Sequence, residues 1–83
     1  MQALADKTDI VIDVRHFVSW FSLLKVTQVF GEMKPQDILE VRGADTDTRH
    51  DLFKILPEST YQVLKVDYEE DEGFHLLRIQ KRI

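Results

Sequence analysis

Ser19 stands three residues after His16, and a hydroxyl near an imidazole is the least from which a nucleophile can be built. Activation needs more: a base within hydrogen-bond reach and donors for a developing oxyanion. No Gly-x-Ser-x-Gly turn surrounds Ser19. Its place just ahead of an apolar helical run reads instead as an N-cap hydroxyl. His16, His50 and His75 offer three imidazoles, but no two share the i, i+4 or short-loop spacing of a ligand pair. They read as separate side chains, although helices on one face of a sheet could bring His16 towards His50, with Asp45 or Asp47 nearby. Arg42, Asp45, Arg49 and Asp51 gather around the start of a second helical segment. Free N–H groups and a cation there could take an anion; capping and helix-end ion pairs account for the same residues. These spacings imply neither a metal nor a cofactor.

The chain has no cysteine among its 83 residues, which removes disulfides, thiolate nucleophiles, persulfide carriers and thiolate metal sites together. Hydrophobic residues make up 43% and charged residues 31%, the balance of a small globular domain. Eleven basic and 15 acidic residues leave a net charge of −4. That argues against nucleic acid as a partner, which asks for a basic field, although Arg78, Lys81 and Arg82 could form a local patch. The run Asp67, Glu69, Glu70, Asp71, Glu72 reads as a solvated hairpin tip. MQALADKTD carries no basic-then-apolar leader pattern, and no apolar run is long enough to cross a bilayer. The expectation is a cytoplasmic protein without a membrane partner.

The elements that must position these residues follow from periodicity. Residues 1–8 read as a flexible tail and 9–83 as one domain. DIVIDV, 9–14, is a β-branched run and reads as a strand. Leu23, Val26, Phe30 and Met33 recur at spacings of three and four, with Leu24 and Val29 widening the stripe, so a helix follows and ends by Pro35. ILEV, 38–41, is a second strand with Leu39 and Val41 on one face and Ile38 and Glu40 on the other. A short helix over about 48–56 collects Leu52, Phe53, Ile55 and Leu56. YQVLKVDY, 61–68, and FHLLRIQKRI, 74–83, pair across the EEDEG turn. The order β-α-β-α-β-β predicts an α+β two-layer sandwich, with two helices on one face of a four-stranded mixed sheet.

This order, together with Asp13 at the end of the first strand, Phe17, LLK at 23–25, MKP at 33–35 and DILEVRGADTDTRHDL at 37–52, resembles the TusA/SirA family of small sulfur carriers. The resemblance runs from Asp9 to about Lys81. That family carries Cys-Pro-x-Pro at the first helix's N-terminus, where the helix dipole favours a thiolate that holds sulfane sulfur. Here the four positions are Ser19, Trp20, Phe21 and Ser22, and the family glycine three places before the cysteine is His16. Serine stays protonated at neutral pH and forms no persulfide. The resemblance therefore implies a degenerate member without the family's usual chemistry. What remains is a surface of His16, Phe17, Val18, Trp20 and Phe21, where sulfur carriers dock their partners and where aromatics concentrate binding energy. The expected function is a non-catalytic protein-binding or regulatory module near sulfur metabolism, engaging a partner or itself through residues 16–22. The alternatives are a sulfurtransferase with relocated chemistry, or an anion-binding domain using Arg49 and Asp51 at the second helix's start.

Overall fold

β-branched and aliphatic residues at every second position build the sheet. The computed structural model describes residues 8–17, 19–71 and 73–83; all of the expected tail except Thr8, together with Val18 of the expected surface, lies outside them. Strand β1 (Ile10–Asp13) leads to helix α1 (Ser19–Glu32) and strand β2 (Ile38–Arg42). Helix α2 (Thr46–Ile55), a 3-10 turn at Glu58–Thr60, strand β3 (Tyr61–Glu69) and strand β4 (Phe74–Lys81) follow. The sheet order is β1-β2-β4-β3, with β1 parallel to β2 and the other two pairings antiparallel. The chain is thus the expected α+β fold. Its thin dimension, 17 Å, is that of one helix layer on one sheet.

The period of two decides which residues meet the helices. In β2, Leu39 and Val41 are completely buried, as are Leu77 and Ile79 opposite them in β4. Val26 and Phe30 of α1, Leu52 of α2, Met33 and Leu56 close over them as one core. Each such side chain contributes roughly 1.5–3 kcal/mol on leaving water.

The outer face of the sheet holds a different device. Glu40 points away from the helices and is 3% exposed. Its Oε2 accepts from Arg42 Nε, and its Oε1 accepts from Arg78 Nε at 3.0 Å and ion-pairs with Arg78 Nη2 at 2.9 Å. Burial alone pushes the Glu40 carboxyl up, but the hydrogen bonds from Arg42 and Arg78, with their charge, outweigh it and hold the group below its ordinary value.

Lys81 ties the last strand to the first helix. Its Nζ donates to the carbonyls of Phe30, Gly31 and Met33 at 3.0, 3.3 and 2.8 Å and lies 5.3 Å from the centre of the Phe30 ring. The last carbonyls of a helix lack partners within it, and a cation there also opposes the dipole.

Four local expectations need correction. α1 begins at Ser19, so Ser19 is its first residue and not the cap before it. α1 ends at Glu32, and Met33 is buried just beyond it. α2 starts two residues earlier than expected, because the Asp45 carboxylate accepts from the Thr48 N–H at 2.8 Å and caps it there. Leu24 and Ile55, expected to join the apolar sides of their helices, are 55% and 54% exposed.

Glu40→Gln keeps the shape of the side chain and removes the charge between two guanidinium groups. It should lower the unfolding free energy by about 1–3 kcal/mol at neutral pH. Because the folded pKa is depressed, the stabilisation is complete above the ordinary value of 4.5 and is lost as pH falls through the folded value. Urea unfolding from pH 7 down to pH 2 should therefore show the variant and the wild type converging on the acid limb.

Candidate partner-binding surface

The turn after β1 is set by Asp13. Its carboxylate accepts the Arg15 backbone N–H at 3.0 Å, and both oxygens bind the guanidinium, from Nε at 2.9 and 3.0 Å and from Nη2 at 2.6 Å. The hydrogen bonds from the Arg15 side chain, and then from its backbone, bring the Asp13 pKa down to about 2. The Arg15 guanidinium also lies 5.0 Å from the centre of the Phe74 ring. Val14 N–H donates to the Arg42 carbonyl at 2.8 Å, and Phe17 N–H to that of Val14 at 3.1 Å. These bonds aim the chain into α1.

Gly43 closes the turn from the other side. It has φ +92°, a value that L side chains rarely adopt, and a Cβ there would come within 3.0 Å of the Arg15 backbone as well as into its side chain. Its N–H donates to the His75 carbonyl at 2.8 Å. The loop after β2 therefore lies directly against the turn that starts the aromatic surface.

On that support stand three aromatic rings. Phe17 and Phe21 are 5.3 Å apart, and Trp20 and Phe21 5.5 Å apart, both edge to face. This geometry is attractive between rings. Yet Trp20 is 68% exposed and Phe21 44%. Phe17 is also exposed, and Leu24, one turn further on, continues the patch. The structure thus groups Phe17, Trp20 and Phe21; His16, next to Phe17 in sequence, is exposed and acts on the Asp13 carboxylate. Leu24 is the member that sequence reasoning placed in the core. The signal for it was present: positions 20, 21 and 24 of α1, with Phe17 in the turn just ahead, repeat at the same three-and-four spacing as the buried stripe, on a second face. Ser22, on the buried side, is 3% exposed.

The second candidate site is built differently from its sequence picture. Arg42 turns to Glu40 on the outer face of the sheet and leaves the α2 start. Asp45 fills the position over the first N–H groups, and its carboxyl is lowered chiefly by the hydrogen bond from Thr48. Arg49 is at that end, 3.4 Å from both Thr46 Oγ1 and His75 Nδ1. Asp51 is exposed in the second turn of α2. Thr46, Arg49, His50, Phe53 and Val66 line a shallow groove of about 250 Å³ between α2 and β3. Among the described residues, no group of three or more His, Asp or Glu side chains is arranged to hold a metal ion, and no helix is long and apolar enough to cross a membrane.

Fold and surface together define a small two-layer α+β domain with an aromatic patch at the start of its first helix. No protein-family model, curated protein or solved structure matches the chain.

Two variants separate the support from the surface. Gly43→Ala should destabilise by about 1–3 kcal/mol, because it forces both an unfavourable φ and a clash with Arg15. The Trp20→Asp, Phe21→Lys double variant should leave the thermal midpoint within about 2–4 °C of the wild type, since it removes exposed groups only. Circular dichroism melts of both check this; unfolding of the double variant would place the aromatics in the core.

Proposed function

We propose that this protein is a non-catalytic docking module whose surface of His16, Phe17, Trp20 and Phe21, extended by Leu24, binds an apolar patch on a partner protein. The observation that carries the reading is the exposure of Trp20 and Phe21, which meet edge to face, as Phe21 also meets Phe17, yet are left out of the core. Large exposed aromatics in one patch mark interaction sites. The resemblance to TusA/SirA proteins supports the same surface and suggests a setting beside sulfur transfer. With no cysteine in the chain, a thiol-borne persulfide is excluded as its mechanism. At the α2 start, the Asp45 carboxylate stands where an anion would bind, which favours the docking reading over an anion site.

Trp20 is the chain's one tryptophan, so its fluorescence reports this surface directly. Wild type and the Trp20→Asp, Phe21→Lys variant, both checked for folding, serve as paired baits in a cell extract. The expected outcome is a partner retained by the wild type, lost by the variant, and shifting Trp20 emission to shorter wavelength when the purified components are mixed. Identical partner profiles for the two baits would overturn the reading.

A further inference from the structure

The exposed strand β3 carries the chain's second apolar patch. Among the described residues it forms one edge of the sheet, paired with β4 alone, and it runs nine residues. Val66 is 50% exposed and Tyr68 48%; Leu64 and Val63 are also exposed. Between Val63 and Lys65 the register slips, so Leu64 stands unpaired against β4. The Tyr68 N–H is bonded to the Asp67 carboxylate at 2.8 Å, while the carbonyl of His75, its partner in β4, accepts from Gly43 on the far side of β4. Backbone groups alternate sides along a strand. The Val66 N–H and C=O therefore point outward together with those of Tyr68. An edge this long and apolar is a template for another strand.

We propose that β3 pairs antiparallel with β3 of a second copy, about a two-fold axis at Val66, to make a dimer with one continuous eight-stranded sheet. The charges select both the occupant and the register. With Val66 opposite Val66, Lys65 of each copy faces Asp67 of the other, twice by symmetry. Leu64 faces Tyr68, Val63 faces Glu69 and Gln62 faces Glu70, so no like charges meet. Moving the axis one residue either way sets Lys65 against Lys65 or Asp67 against Asp67. Opposite charges across a strand pair stabilise it, and like charges directly opposite destabilise it. Lys65 and Asp67 are free to change partners: their side chains are 45% and 54% exposed and lie 3.9 Å apart within one copy. On pairing, the Tyr68 N–H exchanges the Asp67 carboxylate for the Leu64 carbonyl of the other copy, and Asp67 is released to meet Lys65. The contact is isologous and closes at two.

Charge reversal tests this with its own rescue. Lys65→Asp sets acid against acid, and Asp67→Lys sets base against base, each at two symmetric places. Sedimentation velocity over a dilution series should show a wild-type dimer and a dimer dissociation constant raised on the order of tenfold to a hundredfold in either variant. Mixing the two variants should restore a dimer, now a heterodimer, although the pair within each chain stays broken. That outcome separates pairing between copies from any effect inside one. Hydrogen exchange on the wild type needs no variant: the Val66 and Tyr68 amides should slow as concentration rises. A wild type that stays monomeric with concentration-independent exchange at these amides overturns the proposal. So does a dimer that survives both reversals, or one that the Trp20→Asp, Phe21→Lys variant dissolves.

Discussion

The register between β2 and β4 is the constraint from which the rest follows. Leu39 lies opposite Ile79 and Val41 opposite Leu77, and all four are fully buried. A slip of one residue would turn every one of them to the outer face. The same register sets Glu40 opposite Arg78, so the buried carboxylate and its guanidinium partner are a consequence of the apolar pairing. It also fixes both ends of β4. At one end Lys81 reaches the carbonyls that close α1; at the other, the His75 carbonyl receives Gly43 and so holds the turn under Arg15. The aromatic patch is positioned by the far end of a strand that it does not touch in sequence.

Alternation and helical spacing were enough to read this architecture, because both are local. ILEV announces its two faces by itself, and the fold order follows from where the periods change. Other features depend on partners distant in the chain. Arg42 was expected beside Asp45, three residues on; the pleat sends it to the face of Glu40, two residues back. Sequence left room for a basic patch of Lys81 with Arg78, yet the two side chains leave β4 on opposite faces and serve α1 and Glu40 respectively. A run of like charges on a strand is divided by the period of two, which a composition window does not see.

The surface posed a different difficulty. α1 carries two apolar stripes of the same period, one through Val26 and Phe30 and one through Trp20, Phe21 and Leu24, which Phe17 continues in the turn before the helix. Periodicity finds both but does not say which meets the sheet. What decides is the entry of the chain into the helix, fixed by Asp13, Arg15 and Gly43, and that is a tertiary fact. Leu24 was assigned to the wrong stripe for this reason.

Leaving these groups in water has little effect on the stability of the fold and much on its solubility. A domain of 83 residues has a narrow margin, and its core is already complete without them. Trp20 and Phe21 add nothing to that core, and polar residues at either position would keep α1 intact. The same holds for Val66 on an edge strand, where a lysine would serve folding equally well and guard against aggregation better. The two patches lie on different elements and differ in kind. One offers ring faces and edges, which suits side-chain docking. The other offers an unpaired ladder with alternating charge, which suits a strand. A second copy of β3 satisfies the ladder but has no aromatic groove for α1, so the two surfaces can be occupied together.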